Sequence, residues 1–129
     1  MEFIYVSEKP AAKELLDFYN QMGWNDFLGL DLVGMQCLIE GSYYMISAYS
    51  NKRLIGNARL ISDGITNAYL CGLGVLEPYR KQGVAAQIFQ ALKEKIDTDG
   101  LYGQFFCEES LKEYYEKKGA VQFAVGMKI

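Results

Sequence analysis

The apolar and polar positions of the chain follow two different periods, which divide it into helix-like and strand-like segments. Apolar residues recur every three or four positions in the first kind and roughly every second position in the second. In chain order the pattern predicts strand 2–6, helix 10–23, helix 27–39, strands 43–50, 53–61 and 66–76, helix 83–96, strand 101–107, helix 110–118 and strand 121–129. This order, β-α-α-β-β-β-α-β-α-β, indicates the α/β (α+β) class.

Short polar turns separate the three central strands. Asn51-Lys52 fits a tight hairpin, and Ser62-Asp63-Gly64 is a second turn signal. The strand that follows carries Gly72 and Gly74, and glycine inside a strand usually marks a bulge or the close approach of another backbone. We therefore expect an antiparallel meander whose last strand is distorted at its glycines.

The size and composition of the chain favour one domain, residues 1–129. Half of the residues are apolar, and 13 Lys plus Arg against 16 Asp plus Glu give a formal charge of −3. That balance argues against nucleic acid or an anionic membrane as a partner, because both attract a positive surface. No stretch approaches the roughly 18 consecutive apolar residues of a membrane span, and no leader-like segment opens the chain, so we expect a cytoplasmic protein.

Histidine and cysteine usage narrows the possible chemistry. The chain has no histidine, which excludes a histidine general base, a histidine triad and a histidine metal cluster. Its three cysteines, Cys37, Cys71 and Cys107, lack the close spacing of a zinc site and lie in apolar surroundings, so we expect buried free thiols and no metal.

The segment 80–85 is the strongest candidate binding site. It follows the long strand and opens the helix at 83–96, so its backbone N–H groups lie unpaired at the positive end of the helix dipole, with Arg80 and Lys81 adding charge. The alternative is an ordinary glycine-containing helix start with two solvated basic residues. The whole stretch 75–85 closely resembles the Arg/Gln-x-x-Gly-x-Gly/Ala signature of the GNAT superfamily, the acyl-CoA-dependent N-acetyltransferases, and most resembles its small single-domain bacterial members.

The resemblance extends over nearly the whole chain and implies a GNAT-like fold, with a mixed, mostly antiparallel sheet of about six strands and about four flanking helices. It implies acetyl-CoA as co-substrate, with the pyrophosphate on the turn and pantetheine in a slot beside the glycine-bearing strand. The residues that match the family's coenzyme A site are Leu73, Gly74, Val75, Arg80, Lys81, Gln82, Gly83, Val84 and Ala85. The alternative for the strand is that its glycines serve packing alone.

Catalytic residues are also implied by the resemblance. The segment 113–120 is similar to the motif on the family's last helix, which puts a general acid at Tyr115; a core ring is the alternative. Relatives often have an acidic residue where this chain has Gly72, so Asp63 and Glu40 remain as candidate bases, although both fit solvated carboxylates equally well.

Other residues could face the acceptor. Glu108 and Glu109 precede the last helix, where carboxylates also favour the helix dipole. The aromatic residues Tyr19, Trp24 and Phe27 could shape an amine pocket or pack in the core.

Three functions fit these residues. The first is an N-acetyltransferase in which a primary amine of a small molecule attacks acetyl-CoA directly in a ternary complex. The second is a catalytically inactive acetyl-CoA-binding regulatory module, and the third acetylates protein lysines or N-termini. Relatives often form homodimers, which makes 121–129 a candidate interface.

Overall fold

The computed structural model describes residues 2–129, which form one mixed sheet with helices on both of its faces. The five strands are β1 (Ile4–Val6), β2 (Tyr44–Ser50), β3 (Arg53–Ser62), β4 (Asn67–Val75) and β5 (Tyr102–Gln104). The five α-helices are α1 (Ala12–Gln21), α2 (Asn25–Leu28), α3 (Leu32–Gly41), α4 (Val84–Asp99) and α5 (Lys112–Glu116). Single 3₁₀ turns occupy Glu77–Tyr79 and Glu109–Leu111.

The strands lie side by side in the order β1-β2-β3-β4-β5, which confirms the predicted meander. The first four pair antiparallel, and β4 pairs parallel with β5 after the crossover through α4. The β2–β3 hairpin turns at Asn51 and Lys52, whose φ angles of 49° and 64° belong to a type I′ turn.

The core lies between the sheet and its two helical layers. Helix α4 packs so closely on one face that a side chain on Gly56 of β3 would lie 3.1 Å from Ile88. Helices α1 and α3 contact each other, and their buried residues Leu15, Phe18 and Met35 belong to the same apolar cluster. The site described below lies along β4, at the centre of this arrangement.

The predicted helix 27–39 is wrong as a single element. The chain forms α2, then stops at Gly29, whose φ of 62° is left-handed, and starts again at α3. The Asp31 carboxylate accepts a hydrogen bond from the Gly34 N–H at 2.8 Å and so caps the new helix. Continuous apolar character concealed the break because neither a left-handed glycine nor a cap changes the average hydrophobicity.

The predicted strand 121–129 is also wrong, and the sheet has five strands instead of about six. Helix α5 ends before Gly119, and the segment that follows lies exposed, with Val121 and Phe123 at 80% and 69%. A strand requires a partner edge for its N–H and C=O groups, and β5 offers only three residues. Alternating apolar and polar residues predict one apolar face, but they do not show whether a neighbouring strand is available for pairing.

Candidate active site

The turn at 80–85 exposes the N-terminus of α4. Gly83 is the N-cap with φ of 84°, and no side chain caps the helix, so the N–H groups of its first turn have no partner within it. Lys81 also has a left-handed φ of 61°, which curls the loop toward the helix start. A Cβ on Gly83 would meet no protein atom within 4 Å, so the concave side of the turn is open. The arrangement suits an anion.

Arg80 is fixed to the end of β4. Its Nε donates a hydrogen bond of 2.8 Å to the Val75 carbonyl, which holds the positive side chain back against the strand. The 3₁₀ turn Glu77–Tyr79 makes this possible because it reverses the chain directly after the strand. This hydrogen bond therefore links the end of β4 directly to the 80–85 turn.

Strand β4 contains the bulge that its glycines predicted. Asn57 of β3 pairs with Gly74, but Arg59 pairs with Cys71, so β4 has one extra residue in this interval. Gly72 takes up the distortion with φ of 73°, which a residue with a side chain adopts only at a cost. A Cβ there would also lie 3.2 Å from the Tyr19 hydroxyl. A side chain at this position would therefore be strained and would crowd Tyr19.

Strands β4 and β5 separate into a slot. They pair only from Asn67 to Tyr69, opposite Tyr102 to Gln104, and the rest of β4 has no partner on that edge. Leu76 N–H donates to the Ile55 carbonyl at 2.8 Å, so in an antiparallel ladder the preceding Val75 N–H points to the opposite edge, into the slot. The slot thus has free backbone groups along one wall, which an extended ligand can pair with.

A cavity of about 1270 Å³ joins the slot to the turn. Its walls come from five places: the α1–α2 region, Arg59 of β3, the end of β4, the 80–86 turn, and the segment from Phe105 through α5. Of the residues matched to the coenzyme A site, all but Gln82 line this cavity. The structure therefore brings together two sequence segments that the family resemblance had assigned to one ligand.

Tyr115 lines the same cavity from α5. Its ring packs edge-on against Phe105, with centroids 4.8 Å apart, and tilted against Phe89 at 5.3 Å. Burial, with smaller contributions from Tyr114 and Cys107, raises the pKa of the Tyr115 hydroxyl. The ring is thus both half-buried and in contact with the cavity, and its hydroxyl stays protonated at neutral pH.

Asp63 and Glu40 lie outside this cavity. Asp63 caps its own turn: its Oδ1 accepts hydrogen bonds from the N–H groups of Ile65 and Thr66 at 2.8 and 2.9 Å, and these bonds lower its pKa. Gly72 follows Asn67, which lies beyond that turn, by five positions along the strand, a distance of about 16 Å. Glu40 is exposed on the last turn of α3. Among the described residues that line the cavity, Glu108 is the only carboxylate.

Three aromatic side chains, Tyr19, Trp24 and Phe27, form another wall of the cavity. Tyr19 is 3% exposed, and its ring stands perpendicular to that of Trp24 with centroids 5.0 Å apart. Phe27, by contrast, is 80% exposed at the rim. Trp24 also reaches β4 so closely that a Cβ on Gly74 would lie 2.6 Å from its ring. All three residues line the cavity, but Tyr19 also belongs to the buried core and Trp24 packs against that core, so both alternatives hold for these two.

Arg59 is the residue of this cavity that the sequence analysis missed. It lies on β3 opposite Cys71, between the buried residues Ala58 and Leu60. The sequence does contain an indication of this role, because Arg59 lies in the middle of an apolar strand. Such a strand normally buries at least one face, so a charged side chain there needs either a partner of opposite charge or a cavity.

The cysteines are free, but the expectation that all are buried is wrong. Cys37 and Cys107 are exposed, the first on the solvent side of α3 and the second after β5. Cys71 is partly buried, and burial raises the pKa of its thiol while Arg59 opposes that effect. A raised pKa disfavours the thiolate that a nucleophile requires.

Two further properties concern residues 2–129 as a whole. Among them no group of three or more cysteine or carboxylate side chains is placed to hold a metal ion. None of the helices in this part of the chain combines the length and the apolar character needed to cross a membrane.

Comparison with known proteins agrees with this geometry. Residues 30–123 match the family model described as an acetyltransferase (GNAT) domain. No curated protein has a matching sequence.

Solved structures share the fold at low sequence identity. A GNAT-family acetyltransferase from Streptococcus pneumoniae is 21% identical with a TM-score of 0.78, and the match covers 99% of this chain and 97% of that one. Glucosamine-6-phosphate N-acetyltransferase from Arabidopsis thaliana is 12% identical with a TM-score of 0.81, covering 100% and 98%. An aminoglycoside acetyltransferase from an uncultured soil sample is 17% identical with a TM-score of 0.74, covering 100% and 98%. With its family model, its split sheet and its open helix N-terminus in agreement, the chain belongs to the GNAT family of acetyltransferases.

Proposed function

We propose that the protein transfers the acetyl group of acetyl-CoA to a primary amine of a small molecule, by direct attack in a ternary complex. The observation that carries this proposal is the continuity of the slot beside β4 with the open N-terminus of α4. One cavity of about 1270 Å³ contains both, together with an aromatic wall on the opposite side. A two-substrate transfer needs this combination: a donor groove and an adjacent acceptor space.

The residues present fit coenzyme A. The open side of Gly83, the uncapped first turn of α4 and the charges of Arg80 and Lys81 suit a pyrophosphate. The unpaired edge of β4 suits the amide groups of pantetheine, which would add to the sheet as a further strand. Bound acetyl-CoA would supply the thioester carbonyl that the amine attacks.

In this proposal two groups of the chain assist the transfer. The Val75 N–H faces the slot, where a hydrogen-bond donor stabilises negative charge that develops on a carbonyl oxygen. Tyr115 would hold a proton for the departing thiolate, and its raised pKa keeps that proton in place until it is needed. Both residues line the same cavity.

Three carboxylates are candidates for the proton acceptor. Asp63 and Glu40 stay predictions, and each would need a chain of water molecules to reach the cavity. Glu108 borders the cavity directly, so we propose it as a third candidate that acts on the incoming ammonium group, either directly or through one water. Asp63→Asn, Glu40→Gln and Glu108→Gln distinguish them: the base is the residue whose loss removes the acidic limb of the pH profile of kcat/KM.

The central experiment is an acceptor screen. Purified protein is mixed with acetyl-CoA and a panel of amines, amino acids and peptides, and release of the coenzyme A thiol is followed. Release with small amines but not with peptides supports the proposal. Release only with peptides favours a protein acetyltransferase, and tight acetyl-CoA binding without release for any acceptor favours the regulatory module.

A second copy of the chain is the partner we propose for 121–129. Val121, Phe123 and Val125 are at least 69% exposed in one alternating series, and Met127 and Ile129 continue it. A single chain leaves this apolar stripe uncovered, and the short β5 gives it no edge to pair with. Pairing between two copies would satisfy both requirements.

A further inference from the structure

Arg59 carries a charge that the rest of the chain does not neutralise. Among residues 2–129 the only ion pair joins Lys95 to Asp99, so no carboxylate accompanies this guanidinium. Its Nε is fully buried and has no hydrogen-bond partner, and its only side-chain hydrogen bond to a described residue is a long one of 3.4 Å to the Ser42 hydroxyl.

The position of Arg59 indicates where a ligand that neutralises its charge would bind. The residue lines the main cavity, on the face of the sheet that Tyr19 and Trp24 cover. Its strand partner Cys71 lies next to the bulge at Gly72, so Arg59 lies beside the distorted part of β4. Tyr19 is buried beside it, and Arg59 lowers the pKa of the Tyr19 hydroxyl against the larger, opposite effect of burial.

A partly buried guanidinium is unfavourable unless an anion or several acceptors complete it. Here the described side chains provide two neutral hydroxyls, the long contact with Ser42 and the neighbouring Tyr19 hydroxyl, while up to five N–H donors are available. The missing partner must therefore be water or a ligand that enters the cavity. A carboxylate or phosphate matches the planar fork of arginine best, because it accepts two parallel hydrogen bonds.

The position of Arg59 excludes the phosphates of coenzyme A as this ligand. Its phosphates are assigned to the turn beyond Val75, where Arg80 and Lys81 already supply charge. Cys71, opposite Arg59, precedes Val75 by four residues, which corresponds to about 13 Å of strand. Arg59 also belongs to β3, on the other side of β4 from the slot. The charge is thus directed to the acceptor space.

We infer that Arg59 binds an anionic group of the acceptor, so that the substrate is an amine that also carries a carboxylate or a phosphate. The inference rests on the proposed function for the acceptor's role, but the anion site itself does not depend on catalysis. The aromatic wall of Tyr19 and Trp24 would contact the carbon skeleton between the two charged groups of such a substrate.

The test uses pairs of amines that differ only in the anion: L-phenylalanine with 2-phenylethylamine, L-lysine with cadaverine, and glucosamine 6-phosphate with glucosamine. Calorimetry measures their binding to the coenzyme A-saturated protein. We expect the anionic member of at least one pair to bind about 10- to 100-fold more tightly than its partner. The first two pairs and the third distinguish a carboxylate from a phosphate.

Three variants assign the effect to Arg59. Arg59→Met should remove the difference within the pair, and Arg59→Lys, which keeps the charge but loses the fork, should restore part of it. Arg53→Met is the matched control, since Arg53 lies on the same strand but is exposed and bonded to Gln21. Thermal unfolding and coenzyme A binding of each variant show whether it is folded.

The results separate this inference from the proposed function. Equal binding of anionic and neutral members, no binding of any anionic member, or a preference that survives in Arg59→Met overturns the inference. Thiol release with neutral amines, together with equal binding of the anionic and neutral members of every pair, leaves the transferase intact and rejects the anion site. Anion binding that depends on Arg59, with no thiol release for any acceptor, keeps the anion site and rejects the transferase.

Discussion

Single side chains and single backbone angles determine most of the chemistry proposed for this cavity. The left-handed Gly83 opens the helix start, the left-handed Gly72 allows the bulge, and half-buried Tyr115 keeps its proton. Tyr115 and Gly83 each have a counterpart of the same residue type in an ordinary setting, Tyr102 and Gly41, which serves as a control.

Tyr115→Phe should lower kcat for acetyl transfer by about 10- to 100-fold if the hydroxyl protonates the departing thiolate. Burial raises its pKa above the ordinary value of a tyrosine, so the acid form predominates from pH 7 to 9 and the loss should be uniform in this range. Steady-state thiol release across this range is the measurement. Tyr102→Phe, at an exposed ring of β5, is the control; an equal kcat for Tyr115→Phe and wild type would refute the acid role.

Gly83→Ala should destabilise the protein by about 1–2 kcal/mol, because an L-residue is strained at φ of 84° even where its Cβ meets no atom. Acetyl-CoA binding should weaken as well, since the turn must rearrange. Urea unfolding and calorimetry measure the two effects. Gly41→Ala is the control: Gly41 ends α3 without a left-handed φ and with open space around it, so we expect it to be neutral or slightly stabilising.

At the scale of elements, the site depends on how β4 meets its neighbours. The bulge shifts the pairing register between β3 and β4, and the slot opens where the short strand β5 ends. The α1–α2 region covers the bulge through Trp24. The turn at Asp63 fixes the far end of β4. Two predictions concern these junctions.

Gly74→Ala should cost about 1–3 kcal/mol, because its Cβ would lie 2.6 Å from the Trp24 ring and 2.7 Å from the Met22 methyl group. The clash is specific to the contact between β4 and the α1–α2 region. In a Trp24→Ala background the same substitution should therefore cost less. Free energies of unfolding for the two single variants and the double variant test the coupling; additive costs would show that Trp24 is not the obstacle.

The contribution of Asp63 to the stability of the β3–β4 turn should depend on pH. Hydrogen bonds from Thr66 and Ile65 lower its pKa in the folded protein. A lowered folded pKa means that the contribution is fully present above the unfolded pKa of about 3.9 and is lost as the pH falls through the folded value. Asp63→Ala should accordingly lower Tm at pH 7, and the deficit should shrink by pH 2. A constant deficit at both pH values would contradict the role of the charge.

At the scale of the whole molecule, one sheet with helices on both faces places the two halves of the cavity on different segments of the chain. The C-terminal segment adds no strand to that sheet, and its apolar residues remain exposed. This combination makes the assembly of two copies the property most open to measurement.

We expect the purified protein to be a dimer, measured by light scattering after size exclusion, because the stripe formed by 121–129 is otherwise exposed. Phe123→Ser with Val125→Ser should shift it toward the monomer. Ile65→Ser, which removes an exposed apolar side chain in the β3–β4 turn, is the control. A monomer at all concentrations in the wild type would remove the dimer proposal.

The sequence by itself determined the features that depend on local backbone requirements. The 80–85 turn, the Asn51-Lys52 hairpin and the bulge at Gly72 were predictable because each needs particular residues at particular positions. The meander of β2, β3 and β4 followed from alternation and short turns. These features also carry the family resemblance, and they place the donor side of the cavity.

Only the tertiary structure decided what depends on distant partners. It separated Asp63 and Glu40 from the cavity, placed Glu108 beside it, and denied the segment 121–129 a strand. It also showed Arg59 inside the cavity without an anion. A linear pattern records whether a residue is polar or apolar, whereas burial, pairing and charge balance depend on which segments the fold brings together. The local sequence therefore determines the proposed donor side of the cavity, and only the fold determines the proposed acceptor side.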